Sequence, residues 1–123
     1  MVATRNPVVP SLFAPDLEAT VSHYEEVLGF KETGNWTENG KRIWAEVSFG
    51  ESVLWFFANP LDNHPAPRMS GMIYVFVEDV DAVAESLRGK VEFRWGPEDL
   101  PYGLREVGVD DPNGYLLVFA QDI

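Results

Sequence analysis

The chain states one script twice. An apolar strand, an Asp-initiated amphipathic helix and three further strands run from Val8 to Asn59 and again from Gly71 to Asp122. Repetition at that length builds a body with two-fold pseudo-symmetry, and the natural product of two like halves is a concave cleft between them. With 123 residues in all, neither half is long enough for an independent core, so the two must share one. The expected organisation is a single domain over 1–123, with module one at 8–59, a connection at 60–70 and module two at 71–122.

Local signals give the order of elements. Val8–Ala14 reads as a strand; Asp16 then caps a helix whose Leu17, Val21, Tyr24 and Leu28 fall on one face, and Gly29 stops it. Phe30–Thr37, an Asn39-Gly40 hairpin turn, Lys41–Phe49, a Gly50-Glu51 turn and Ser52–Ala58 make a three-stranded meander. Pro60, Pro65 and Pro67 stiffen the connection. The second module repeats the order with Gly71–Glu78, a helix capped by Asp79 or Asp81 carrying Val80, Val83, Ala84 and Leu87, and Gly89. Strand Lys90–Trp95, a loop Gly96–Gly103, strand Leu104–Asp110, a Pro112-Asn113-Gly114 turn and strand Tyr115–Gln121 complete it.

Composition excludes several functions. The net charge of -11 opposes binding to a phosphate backbone, so no nucleic acid is expected. Such a charge keeps a protein soluble, and it also draws a cationic ligand to a cleft. Cys is absent, which removes thiolate chemistry. No long apolar run or leader pattern appears, so a cytoplasmic protein with no membrane partner is expected. No Gly-x-Ser-x-Gly elbow is present, and no His stands near Ser11, Ser48 or Ser52 to activate a nucleophile. Phosphate-cradling Gly motifs are also missing. His23 and His64 are the only histidines, read as a helix-flank and a loop residue, and Glu46, Glu106 and Asp110 on strands read as solvated.

Strand alternation sets Trp44, Glu46 and Ser48 against Ile43, Ala45 and Val47, and Val53, Trp55 and Phe57 against Leu54 and Phe56. One set of each pair faces the cleft. Phe13, Phe49, Phe56 and Phe119 are expected in the core; Trp36, Trp55, Trp95 and Tyr102 suit either core or cleft.

Leu12-Phe13-Ala14-Pro15-Asp16-Leu17-Glu18, Leu28-Gly29-Phe30, Val77-Glu78-Asp79-Val80-Asp81 and Asp111-Pro112-Asn113-Gly114-Tyr115-Leu116 together resemble the markers of the vicinal-oxygen-chelate superfamily. That superfamily includes glyoxalase I, extradiol dioxygenases, and fosfomycin- and bleomycin-resistance proteins. The resemblance implies an α+β fold of two tandem βαβββ modules forming a curved mixed-sheet cleft. In its metalloenzymes four strand positions supply His and Glu ligands. Those positions fall here on Val9, Trp55 (or Phe56, one register on), Met72 and Val118, none a ligand for a hard cation. No metal and no cofactor are therefore expected.

Within the superfamily, Val9-Pro10 and Pro101-Tyr102-Gly103-Leu104-Arg105-Glu106 resemble the metal-free bleomycin-resistance branch, with Tyr102 standing where that branch has Trp. The resemblance implies a homodimer that sequesters a small, cationic or aromatic molecule without turning it over. The expected ligand-binding residues are Trp36, Trp44, Glu46, Trp55, Phe57, Trp95 and Tyr102, with no catalytic residue. The alternative is a divalent-metal-dependent glyoxalase- or dioxygenase-like lyase with a rearranged carboxylate site.

Overall fold

The structure, a computed structural model, describes residues 8–61 and 65–123; His64 lies outside them. The first module contains β1 (Ser11–Phe13), α1 (Leu17–Glu26), β2 (Lys31–Glu38), β3 (Lys41–Phe49) and β4 (Ser52–Phe57). The second contains β5 (Ile73–Phe76), α2 (Val80–Leu87), β6 (Phe93–Leu100), β7 (Leu104–Asp110) and β8 (Leu116–Asp122). Each module folds its strands into one mixed sheet, ordered β1-β4-β3-β2 in the first and β5-β8-β7-β6 in the second. The meanders are antiparallel. The strand before each helix returns beside the last strand of its module in parallel, β1 on β4 and β5 on β8.

Side-chain oxygens start both helices. Asp16 Oδ1 accepts the Ala19 N–H at 3.0 Å and Asp79 Oδ1 accepts that of Ala82 at 3.1 Å, each satisfying a donor that the helix leaves unpaired. Of the two candidate caps of α2, Asp79 takes the role, while Asp81 in the first turn pairs with Arg105 at 3.0 Å. Positive φ at both Asn39 (50°) and Gly40 (76°) gives the β2–β3 hairpin the turn that matches strand twist.

Three strands depart most from the sequence reading. Strands β1 and β5 are shorter than Val8–Ala14 and Gly71–Glu78, because parallel pairing to β4 and β8 spans only three and four residue pairs. The loop expected at Gly96–Gly103 is mostly strand: β6 continues through Pro97, with Glu98, Asp99 and Leu100 paired to Glu106, Arg105 and Leu104. Pro97 lacks an N–H, which is tolerated because β6 is an edge strand and its register shifts between Trp95 and Glu98.

Helix α1 packs on β3 and β2 and α2 on β6, β7 and β8. One core joins the modules: Leu17, Val21, Tyr24, Ala45, Val47, Leu54 and Phe56 from the first merge with Val75, Val80, Ala84, Val107, Leu117 and Phe119 from the second. Phe49 and Phe119 meet across the junction with ring centroids 5.9 Å apart.

The Asp111–Tyr115 turn latches the halves together. The buried Tyr24 hydroxyl donates to Asp111 Oδ2 at 2.9 Å, and Asp111 Oδ1 accepts the Asn113 and Tyr115 N–H groups at 2.7 and 2.9 Å. Asn113 Nδ2 donates to Thr20 Oγ1 at 3.1 Å, and the Tyr115 hydroxyl donates to the Phe13 carbonyl at 2.6 Å. Burial pushes the Asp111 carboxyl above its ordinary range against the pull of these donors, and pushes the Tyr24 phenol well up.

Because the helix-bearing faces share the core, the opposite face of each sheet is left outside it. Those outer faces carry the residues of functional interest.

Candidate functional site

On the first sheet, Trp44 and Glu46 of β3 and Val53, Trp55 and Phe57 of β4 occupy the outer face, while Ala45, Val47, Leu54 and Phe56 are buried beneath α1. Trp36 of β2 pairs with Trp44 and is 60% exposed. The Trp44 and Trp55 rings meet edge-on at 5.4 Å, and Phe57 stacks on Phe13 at 5.8 Å. Glu46 sits among them. Its Oε2 accepts the Trp55 indole N–H at 2.8 Å and its Oε1 the Thr33 hydroxyl at 2.7 Å. The Trp55 indole and then the Thr33 hydroxyl hold the Glu46 carboxyl below its usual value, on the face that also carries Trp36 and Trp44.

A groove of about 580 Å³ opens at one end of this face, between Ser11, Phe13, Phe57 and the connection bearing Arg68 and Met69. A smaller cavity of about 300 Å³ sits where Val53 of the first sheet meets Tyr74 of the second.

The outer face of the second sheet has a carboxylate of its own. Glu106 on β7 is 1% exposed, and its Oε2 accepts the hydroxyls of Tyr74 at 2.8 Å and Tyr102 at 2.9 Å. Its Oε1 accepts the Trp95 indole N–H at 3.2 Å. The Trp95 ring lies against Gly108, where any Cβ would come within 2.9 Å of three indole carbons. A glycine is therefore required two residues after Glu106 for the indole to reach it. Burial, then the bond to Glu106, pushes the Tyr74 phenol above its ordinary value. The solvated position expected for Glu106 is thus overturned: the aromatic rings cover it.

Seven residues expected to bind ligand divide between these faces. Trp36, Trp44, Glu46, Trp55 and Phe57 gather on the first sheet; Trp95 and Tyr102 lie on the second. Sequence reasoning missed Glu106, Tyr74 and Thr33. The repeat itself carried a signal, since Tyr74 stands five residues before its helix cap Asp79 as Ser11 does before Asp16, and so faces outward from a strand that reads as uniformly apolar. His23, expected on the helix flank, is half-buried, with Nε2 lacking a hydrogen-bond partner, and burial lowers its pKa.

The register at the candidate metal positions follows from the pairing. Ser11 lies opposite Trp55 as Tyr74 lies opposite Val118, so Trp55 and Val118 are equivalent in the two modules. Trp55 faces outward and Phe56 inward, which removes the one-residue ambiguity. Val9, Trp55, Met72 and Val118 offer a hard cation no oxygen or imidazole, and an indole N–H only donates. The residues present do not fit a divalent ion there. Among the described residues no group of three or more His, Asp and Glu side chains converges elsewhere.

Paired βαβββ modules with outward faces of this kind define a superfamily, and the chain belongs to it: residues 5–119 match the model of the Glyoxalase/Bleomycin resistance protein/Dioxygenase superfamily. Among solved structures, it is similar to TioX from a Micromonospora species, at 22% identity over 96% of this chain and 99% of that one, with a TM-score of 0.79. It is also similar to TnmS3, an antibiotic binding protein from a Streptomyces species, at 23% identity over all of both chains and a TM-score of 0.78. A lactoylglutathione lyase from Agrobacterium tumefaciens shares the fold at 20% identity, over 96% of this chain and 94% of that one, with a TM-score of 0.68. The comparison with curated proteins gives no match. Likeness at these identities establishes the fold, which this superfamily uses for both binding and catalysis.

Proposed function

We propose that the protein binds a small aromatic or cationic molecule and sequesters it without chemical change. The observation that carries this reading is the outer face of the first sheet, where Trp36, Trp44 and Trp55 share a face with Glu46, which accepts the Trp55 indole N–H, and Trp55 stands where the family resemblance would put a metal ligand. Planar rings stack on exposed indoles, and a cationic tail gains about 0.5–2 kcal/mol per aromatic face. Trp36, Trp44, Glu46, Trp55 and Phe57 form one wall of the site, and Trp95 and Tyr102 belong to the other.

The walls come from different copies in this reading. Each chain has two exposed aromatic faces, with Trp36 and Trp55 on one and Phe76 (61% exposed) and Tyr102 (60%) on the other. A two-fold homodimer sets the first face of one protomer against the second of its partner and covers both pairs in one closed assembly. An antibiotic binding protein shares this fold, which supports the small-molecule part of the reading. No helix among the described residues is long and apolar enough to cross a membrane, and the proposed setting is the cytoplasm.

Ethidium, planar and permanently cationic, tests the proposal. It should quench the tryptophan fluorescence at about micromolar concentration, and less strongly as ionic strength rises from about 0.02 to about 0.5 M. An unquenched signal, together with a monomer in sedimentation, would contradict the reading. A tightly held divalent ion found by elemental analysis, with lyase or dioxygenase turnover abolished by chelation, would replace it with the metalloenzyme alternative.

A further inference from the structure

Two carboxylates are buried among the described residues. Asp111 is accounted for by the latch between modules. Glu106 is not: its partners are three neutral donors, and among the described residues no Lys or Arg pairs with it. The neighbouring cations are engaged elsewhere. Arg105 points to the helix-bearing side and pairs with Asp81 and Asp99, each at 3.0 Å, and Arg94 pairs with Asp110 at 3.0 Å. Glu106 is buried among hydroxyls and an indole, and the attraction between a carboxylate and a cation is stronger in such a medium of low dielectric than in water.

The three donors differ in how they are held. Tyr74 lies on β5 and Trp95 on β6, the latter seated against Gly108. Tyr102 sits on the Pro101–Gly103 turn between β6 and β7, with its side chain largely in solvent. A rotation about its χ1 lifts the phenol from Glu106 Oε2 without disturbing a strand. Tyr74 and Trp95 then remain as donors to the carboxylate, with Phe76 stacked on Tyr74 at 6.1 Å.

We propose that Glu106 is the counter-ion site for a protonated primary or secondary amine. The ammonium N–H displaces the Tyr102 hydroxyl from Glu106 Oε2, and the carbon adjoining it packs between the Tyr74 and Trp95 rings. The ammonium brings a positive charge that the Tyr102 hydroxyl lacks, so its bond to the carboxylate adds an attraction between opposite charges to the hydrogen bond it replaces. A quaternary ammonium has no N–H to donate and is disfavoured at this oxygen. The inference rests on the small-molecule binding proposed above and assigns the cationic end of those ligands that carry an ammonium N–H.

Naphthylmethylamine and naphthylmethanol, alike in shape and different in charge, distinguish the two claims by calorimetric titration of the full chain. The amine should bind at least about ten-fold tighter than the alcohol. Glu106→Gln, which keeps a carbonyl acceptor, should bring the two within about two-fold, whereas the same charge change at Glu26 on exposed α1 leaves the ratio intact. Tyr102→Phe frees Oε2 and should hold or raise amine affinity; a merely structural Tyr102 would lower both. Equal binding of the two compounds to the unmutated protein overturns the amine site and leaves small-molecule binding standing. Failure of both at about millimolar concentration overturns both claims. A ten-fold ratio that survives Glu106→Gln places the selectivity elsewhere and also overturns it. Should Glu106→Gln not fold, the Trp95 indole N–H resonance, assigned with Trp95→Phe, must move on adding amine to the unmutated protein. An unmoved resonance refutes the site.

Discussion

Replacing Gly108 with Ala tests the architecture around Glu106 most directly. The new methyl carbon would lie 2.9 Å from Cε2, Cζ2 and Cη2 of Trp95, whereas carbons prefer about 3.5–4.0 Å. The indole must retreat by roughly 0.6–1 Å, since the methyl is fixed to the backbone of a central strand. Its bond to Glu106 begins at 3.2 Å, so a retreat of that size stretches or bends a bond already at the long end of the hydrogen-bond range. Overpacking costs about 1–3 kcal/mol and losing a donor to a buried carboxylate about 1.5–3 kcal/mol, while Ala recovers about 0.5–1 kcal/mol of backbone entropy. These are not additive; a net destabilisation of about 2–3 kcal/mol is expected. For a chain of this size that lowers the melting temperature by roughly 6–15 °C. Urea unfolding gives the free energy, and the indole region of a proton–nitrogen correlation spectrum reports the Trp95 N–H. A variant within about 0.5 kcal/mol of the parent, with that resonance unmoved, would refute the close packing of Trp95 on β7.

Three further outcomes are expected. Tyr24→Phe removes one donor from buried Asp111 and should cost about 1–3 kcal/mol in urea unfolding; a loss under about 0.5 kcal/mol would mean the latch contributes little. His23 has its pKa lowered by burial from 6.5, so below that value the unfolded chain takes up the proton first. Stability is full above pH 6.5 and falls as pH drops toward the folded-state value. Asp111, shifted upward, acts in the opposite sense, so the His23 part is isolated as the difference between parent and His23→Gln, and parallel pH profiles would contradict it. Trp55→Ala should weaken ethidium binding by more than about 1 kcal/mol, roughly five-fold or more, with a smaller effect on stability because the ring is already 36% exposed. Unchanged affinity with reduced stability would assign Trp55 to packing alone.

Much of the fold was legible because its signals are local. Asp16 and Asp79 start helices by capping their own N–H groups, and Asn39-Gly40 closes a hairpin with its own dihedral angles, so neither depends on distant residues. Alternation along β3 and β4 separated Trp44, Glu46, Trp55 and Phe57 from Ala45, Val47, Leu54 and Phe56, since side chains on a strand alternate whatever lies beyond it. Where a partner strand decides, the reading failed. Pro97 marks a loop by composition, yet pairing with β7 keeps Glu98–Leu100 in the sheet.

The repeated script thus determined by itself the two modules' order of elements, the inward and outward faces of β3 and β4, and the absence of ligating side chains at Val9, Trp55, Met72 and Val118. Tertiary structure alone decided which carboxylates are buried. Glu106 reads in sequence as one more surface acid; it is buried because Tyr74, Trp95 and Tyr102, from three separate segments, close over it, and because Gly108 leaves room for the indole. Burial depends on what other segments bring to a residue, and a single sequence records such long-range meetings only as isolated letters.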